Sequence, residues 1–201
     1  MIASAFMRII TNPGSNVPHE FVERYGIDIM PRAIVVGGTE HDTREGVTIE
    51  TVDDWVAAAR AHPYVLGTSA AQFARYFAEL AKQDRELPVV MSSRKIIQSH
   101  DAALAAMRTM QSRAAYQDLT IRVVDTTMTD LGAGVPTVIA ALAREAGLSL
   151  DRIADLLVEA TSRAAFAVLP RTLDNLIKGG RAGFLRGWLA KMLGLRPLLQ
   201  M

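Results

Sequence analysis

The chain has 201 residues, of which half are apolar and 21% are charged, a balance typical of a globular protein with a hydrophobic core. Its net charge of +1 gives no electrostatic drive toward nucleic acid or anionic membranes. The absence of cysteine excludes disulfides, thiol catalysis and cysteine metal sites, and the four histidines share no spacing typical of metal ligands.

Hydropathy and the N-terminal residues give an expectation about location. No apolar run reaches the ~18 residues that a membrane-spanning helix needs. The first six residues lack the basic region and the length of a signal peptide. We therefore expect a cytoplasmic protein.

Short β-type runs alternate with helical patterns along most of the chain, and this alternation predicts an α/β fold with a mainly parallel sheet flanked by helices. The predicted strands lie at 8–11, within 27–36, at 88–91, at 121–124 and at 165–169. The first predicted helices lie at 18–26, from 51 onward, and from just after 69 to 80. The others lie at 97–115, 131–146, 150–163 and 172–178.

Local signals refine two of these helices and the segment between them. Asn16 is placed to cap the helix that begins near Pro18. Thr51 opens the next helix with a start resembling a capping box, and Trp55, Val56 and Ala59 are predicted to form its buried face. The polar segment 39–48 between them is predicted to be a surface excursion.

Polar pairs follow the strands. Thr11-Asn12, Ser92-Ser93 and Asp125-Thr126 stand at strand ends, and Thr68-Ser69 stands at the start of a helix. In a parallel sheet, ligands bind beyond the carboxyl ends of the strands, where helices begin. We therefore expect these pairs to converge at one edge.

Two interpretations of these hydroxyls stay open. Hydroxyls and amides at a helix N-terminus can bind a carboxylate, but a Ser or Thr before a helix more often caps the helix itself. For any single one of these residues, capping is favoured. Asp125 is predicted to have a structural role, and His100, beside Asp101, is predicted to lie at the surface.

The C-terminal segment has an unusual order. The helix at 172–178 is stopped by Gly179-Gly180, because glycine enters the left-handed region without steric cost. Arg181 follows where the backbone must bend sharply. It either locks this turn through a salt bridge or a carbonyl contact, or steers an anionic ligand or the acidic surface of a partner. A second apolar-faced helix is then predicted from Phe184 through Trp188 to Leu193, before a strand-like Leu195–Leu199.

Five motifs in this chain order resemble those of the DegV family. They are Thr11-Asn-Pro-Gly-Ser-Asn-Val-Pro18, Thr68-Ser69, Met91-Ser-Ser93, Val124-Asp-Thr126, and the segment Leu173, Leu176, Gly179, Gly180, Arg181 with Leu195-Arg-Pro-Leu-Leu199. One such motif is a weak signal, whereas five in the right order are fairly specific. The resemblance covers nearly all of the chain from Arg8.

The resemblance implies a DegV-like N-terminal α/β domain over 7–165 and the beginning of a second, smaller α/β domain over 166–201. Members of this family hold a long-chain fatty acid in a tunnel between two domains, do no chemistry themselves, and can present the carboxyl group to a separate fatty acid kinase. No cofactor and no metal is expected. The ligand-binding residues that we infer are Thr11, Asn12, Thr68, Ser69, Ser92, Ser93, Gln98 and Arg181.

Departures from the family pattern shift the expected head-group site. The family's Thr-Asp-Ser is Thr11-Asn12-Pro13 here, and its Ser-Gly-Thr is Ile96-Ile97-Gln98. The serine to which the resemblance would assign the carboxylate is therefore an isoleucine. The contact is expected to be lost, or taken over by Ser92, Ser93, Gln98 or Ser99.

Length is the other departure. Family members continue for roughly another third of the chain, so we expect a natural short form, a fragment, or half of a two-chain carrier that binds a second polypeptide or self-associates. An enzyme handling a small phosphate compound, with a dihydroxyacetone-kinase-like fold, is the alternative from another class. Against this alternative, the sequence contains no Gly-rich phosphate-binding loop with a lysine.

Overall fold

The computed structural model describes residues 7–43, 46–58, 61–170, 172–179 and 198–200. It divides into two units, one formed by Met1–Pro31 and Gly67–Ala164 and the other by Arg32–Leu66 and Ala165–Met201. The predicted N-terminal domain, 7–165, includes Arg32–Leu66 and Ala165, which belong to the second unit.

The strands of the described residues are short, and the longest have six residues. They are β1 (Ile10–Thr11), β2 (Asp28–Ile29), β3 (Ala33–Val36), β4 (Thr39–Asp42), β5 (Tyr64–Leu66), β6 (Glu86–Met91), β7 (Thr120–Asp125), β8 (Ala167–Val168) and β9 (Leu199–Gln200).

The helices supply most of the regular structure. They are α1 (His19–Tyr25), α2 (Ile49–Ala58), α3 (Ala70–Leu80), α4 (Ser99–Gln111), α5 (Leu131–Glu145), α6 (Leu150–Ser162) and α7 (Asp174–Lys178), with short 3₁₀ turns at Pro13–Ser15 and Ala114–Tyr116. Among those described, none is long and apolar enough to cross a membrane.

A four-stranded parallel sheet organises the first unit. Its strand order is β2-β1-β6-β7, and every neighbouring pair is parallel. Parallel neighbours need a crossover, and the helices between these strands provide it. The predicted α/β fold with a mainly parallel sheet is confirmed.

Helices cover both faces of this sheet, so β6 is apolar without a polar face. Val89 and Met91 pack on the side of α3 and α4, against Phe73 and Phe77. Val90 points to the opposite side, where it joins a core that includes residues of α5 and α6. The strand ends that follow these buried runs are thereby held in a rigid frame.

The second unit contains two further sheets. One is antiparallel, with the order β4-β3-β5, and the other pairs β8 with β9. The predicted single β-rich stretch 27–36 is in fact two strands in different sheets. Pro31 separates them, because proline has no amide hydrogen to continue a ladder.

The segment 39–48, predicted to be a surface excursion, is exposed or half-buried where it is described, but its first part, Thr39–Asp42, forms the strand β4. A tight turn at Gly37-Gly38, with φ of 58° and 90°, joins it to β3. Positive φ at both positions is the geometry that two-residue hairpin turns require, and glycine adopts it without strain.

Two predicted helix starts also need correction. Asn16 does not cap α1; its backbone is left-handed and its side-chain amide donates to Asp130 Oδ1 at 2.8 Å. The helix α2 begins at Ile49, two residues before the predicted start, and the Thr48 hydroxyl accepts from the Thr51 amide.

The predicted buried face of α2 is only half-buried where the structure describes it. Trp55 and Val56 are both partly exposed, and Trp55 lies against the His41 ring with 4.4 Å between centroids. Ala59 lies outside the described residues, as do Gly180, Arg181 and the predicted apolar helix from Phe184 to Leu193.

Candidate functional site

The carboxyl ends of three parallel strands meet at one edge of the sheet in the first unit. The register pairs Thr11 with Val90 and Met91 with Asp125. The three strands therefore end at nearly the same height in the sheet, and the residues that follow them are neighbours. Asn12, Ser92 and Thr126 therefore come together as the sequence predicts. All three side chains are buried.

Asn12 and Ser92 form a closed pair at this edge. The Asn12 side-chain amide donates to Ser92 Oγ at 3.1 Å, and the Ser92 backbone amide donates to Asn12 Oδ1 at 2.9 Å. The Ser92 hydroxyl thus accepts from Asn12, and it donates its own proton to none of the described residues. A directed donor is available for a ligand oxygen.

Ser93 follows the same pattern. Its backbone amide donates to Met128 O at 2.7 Å, and its hydroxyl oxygen accepts from the Lys95 amide at 3.3 Å. Within the described part of the chain its hydroxyl proton has no acceptor. The turn from β6 to α4 is closed by the amides of Ile96 and Ile97, which both donate to Ser93 O.

The Thr11 side chain contributes to the fold of the sheet edge. Its hydroxyl donates to Val90 O at 2.8 Å, and the Thr137 hydroxyl oxygen, which donates to Ala133 O at 2.9 Å, lies 3.4 Å away. The proton of Thr11 is thus used in tying β1 to β6, next to α5. Thr11 therefore stiffens the edge.

Thr68 and Ser69 differ from each other. Thr68 is 8% exposed and donates to Pro31 O at 3.2 Å. Ser69 forms a complete capping box: its hydroxyl accepts from the Gln72 amide and donates to Gln72 Oε1, which also accepts from the Ser69 amide. The capping interpretation therefore accounts fully for Ser69.

The N-terminus of α4 adds two residues. Gln98 occupies the N-cap position, is exposed, and makes no side-chain capping hydrogen bond. Ser99 is 2% exposed, and its hydroxyl has no hydrogen-bond partner among the described residues. A Cβ atom placed on Gly67 would be 3.8 Å from Ser99 Oγ, which brings the segment before Thr68 next to the start of α4.

An open groove of about 700 Å³ lies beside this edge, between α4, β7 and α6. Ser93 lines it, together with charged residues of both signs that include Lys95 and Asp155. His100 also lines it and is 6% exposed, with Nδ1 3.1 Å from Asp101 Oδ1. The expected surface position of His100 is wrong, because the first turn of α4 directs this ring inward.

Asp125 has the structural role that the sequence predicts. Its Oδ1 accepts from the Thr127 amide at 2.8 Å, and its Oδ2 lies 3.8 Å from Arg94 Nε. Thr127 has a positive φ of 57°, so this hydrogen bond helps to hold a strained turn after β7. The contribution of Arg181 stays a prediction, since this residue is outside the described ranges.

Within the described ranges, no group of three or more His, Asp or Glu side chains is placed to hold a metal ion. The polar edge offers neutral hydroxyl donors in a buried setting. A ligand with acceptor oxygens, such as a carboxylate, matches this set of donors.

Comparison with known proteins identifies the family. Residues 7–201 match the model described as an uncharacterised protein of the DegV family. A fatty acid-binding protein of Thermotoga maritima is 24% identical over 96% of this chain and 66% of its own length.

Solved structures share the fold. A DegV family protein from Thermus thermophilus, described by its fatty acid binding, superposes with a TM-score of 0.84 and 25% identity, over 97% of this chain and 67% of that one. The Streptococcus pneumoniae fatty acid kinase B3 protein loaded with linoleic acid has a TM-score of 0.79 and 17% identity, over 96% of this chain and 68% of that one. This chain spans about two thirds of the length of these relatives, and it is a member of the DegV family.

Proposed function

We propose that this protein binds a long-chain fatty acid and holds its carboxylate at the polar edge of the parallel sheet. The observation that carries the proposal is membership of the DegV family across residues 7–201. Similar proteins from Thermotoga maritima and Thermus thermophilus are described by fatty acid binding. The buried hydroxyls of Ser92 and Ser93 support it at the level of chemistry.

A carboxylate accepts hydrogen bonds and donates none, so its site needs donors that nothing else uses. The Ser92 and Ser93 hydroxyls meet this requirement, because both oxygens already accept a protein hydrogen bond that fixes their position. Hydrogen bonds to a charged acceptor contribute about 1.5–3 kcal/mol each. Two such bonds would favour an acid over an ester of the same chain.

The acyl chain supplies the larger part of the affinity. Removing a methylene from water is worth ~0.8 kcal/mol, so a long chain outweighs the cost of ordering the ligand. The head-group hydroxyls then select the acid and orient it. In this proposal the protein itself does no chemistry, and it presents the carboxylate to a separate kinase.

Native mass spectrometry of the purified protein, before and after incubation with palmitate, tests the proposal. We expect a complex with one fatty acid per chain, and we expect its occupancy to fall strongly when Ser92→Ala and Ser93→Ala are combined. Circular dichroism of the double variant checks that it is folded. A folded wild-type protein that retains no fatty acid would contradict the proposal.

A second measurement tests the claim that the protein itself catalyses no reaction. The protein is incubated with ATP, magnesium and palmitate, and ADP is quantified. We expect no ADP above the background of a heat-denatured sample. Steady turnover by the protein alone would favour the phosphate-handling enzyme instead.

A further inference from the structure

Helix α5 is apolar on all sides. Residues 131–143 contain no charged side chain, and Thr137 is the one polar residue among them. The side that packs on the first unit is buried and consists mainly of alanine and glycine. The outer side is apolar as well, although Leu131, Val135 and Leu142 are exposed. A helix that is apolar all round is typical of a protein interior.

Other helices of the same unit have the ordinary amphipathic pattern. The exposed side of α3 carries Arg75 and Glu79, and that of α6 carries Asp155 and Glu159. Charged residues of this kind keep the outer face of a surface helix in water. The outer face of α5 has none, so its composition matches a face that another apolar surface covers.

The apolar residues of this outer face read the same in both directions along the helix. They form the α5 stripe, which consists of Leu131, Val135, Val138 and Leu142. Positions i, i+4, i+7 and i+11 lie on one side of a helix. Val138 is half-buried because it also packs against the core.

A symmetric stripe of this kind is complementary to itself. A two-fold axis between positions 136 and 137 sets Leu131 against the partner's Leu142. The same axis sets Val135 against the partner's Val138. An interface between identical chains related by a two-fold axis requires this reciprocity, whereas a different partner does not.

We propose that the α5 stripe is a docking surface for a second copy of this chain, with the two α5 helices antiparallel. The stripe has no charge, so two copies bring no like charges together. Antiparallel helices also place the positive end of each dipole beside the negative end of the other. Helices that dock on anionic lipid carry Lys and Arg beside their apolar face, and 131–143 contains neither. The proposal does not depend on fatty acid binding.

The length of the stripe sets the strength of this association. It spans about three turns of helix, roughly 16 Å. A stable complex buries about 800 Å² on each partner, which is more than one helix face of this length supplies. We therefore expect a weak dimer with a Kd of about 10–100 μM.

Sedimentation velocity over about 1–300 μM protein tests the proposal, because this range brackets the expected Kd. It compares wild type with Val135→Glu and Val158→Glu. Val158→Glu is the matched control, since Val158 is 60% exposed on α6 and Val135 is 58% exposed on α5. Thermal unfolding of each variant checks that it is folded.

We expect wild type to change from monomer to dimer across this range. Val135→Glu should raise the Kd by about tenfold or more, because the interface would bury an unpaired carboxylate. Val158→Glu should leave the Kd unchanged. A wild-type protein that is monomeric throughout, a dimer that Val135→Glu leaves intact, or equal dissociation by Val158→Glu would each overturn the proposal.

Charge pairs at the ends of the stripe test the antiparallel arrangement. Leu131→Lys and Leu142→Glu should each weaken the dimer, because each places a charge against a leucine of the partner. The two substitutions combined should restore it, since each lysine then faces a glutamate of the partner. Parallel helices would set like charges against each other. A folded double variant that is no better a dimer than the single variants would overturn the proposal.

Discussion

Asn12 and Ser92 hold each other through two hydrogen bonds across adjacent parallel strands, one at 3.1 Å and one at 2.9 Å. The asparagine side chain both donates and accepts, which a carboxylate at the same position could not do. The Ser92 hydroxyl is therefore used as an acceptor, and its proton stays available for a ligand.

This pair should be energetically coupled. We expect Asn12→Ala to lower the free energy of unfolding by about 2 kcal/mol, because it leaves the buried Ser92 amide unpaired. Ser92→Ala should cost about 1 kcal/mol, and the double variant should cost less than the sum. Urea unfolding of the four proteins measures the coupling. Strict additivity would show that the pair does not form.

Ser69 should stabilise the protein through its capping box and should not affect ligand binding. Ser69→Ala should lower the free energy of unfolding by about 1 kcal/mol, because α3 loses the acceptor for its Gln72 amide. Ser69→Asp is the matched control, since aspartate also caps helices well. Palmitate affinity should be the same in both variants, and a selective loss in Ser69→Ala would return this residue to the ligand site.

Gly134 marks a close approach between α5 and the loop after β1. A Cβ atom at this position would lie 2.5 Å from Ser15 O, a backbone atom that cannot rotate away. We expect Gly134→Ala to cost about 1–3 kcal/mol, although alanine is the better helix former. Gly67→Ala is the control, since its nearest neighbour is at 3.8 Å. Equal or greater stability in Gly134→Ala would refute the close approach.

Asp84 should make the free energy of unfolding depend on pH. Burial raises the pKa of this carboxyl above its ordinary value of 3.8, and the charge of Arg8, with Nε at 3.3 Å, only partly opposes the effect. The folded state therefore binds the proton more tightly than the unfolded state. The contribution of Asp84 to stability is greatest at low pH and falls as pH rises from about its ordinary pKa through the raised one.

Unfolding by urea at several pH values tests this sign. The free energy of unfolding of wild type minus that of Asp84→Asn should decrease with rising pH and then become constant. Asp151→Asn, which removes the exposed partner of Arg122, is the control and should give a small difference. A wild-type advantage that grows with pH would mean that the Arg8 ion pair outweighs burial.

The parallel sheet and its polar edge could be predicted from the sequence because each signal is local. The apolar run Leu87–Met91 ends in two serines, and the run that ends at Val124 is followed by Asp125 and Thr126. Parallel strands bring such ends together regardless of the residues between them. The reciprocal bonding of Asn12 and Ser92 follows from the register.

Other features depend on tertiary packing, which the local pattern does not contain. Strand β4 reads Thr-Glu-His-Asp, with no apolar alternation, and forms only because β3 pairs with it. Ser99 looks like an ordinary helix start, yet it is 2% exposed and lies beside Gly67, which is distant in sequence. His100 stands beside an acidic residue in the sequence, a pattern that favours a surface position. In the structure its side chain is only 6% exposed, because it lies in the first turn of α4, which packs beside the groove.

The most direct test of fatty acid binding at the polar edge is a competition titration of wild-type protein with palmitate and with methyl palmitate. If buried hydroxyls hold the head group, palmitate should bind about tenfold or more tightly than the ester of the same chain. Equal affinities, or no binding of either ligand to the folded protein, would contradict the account.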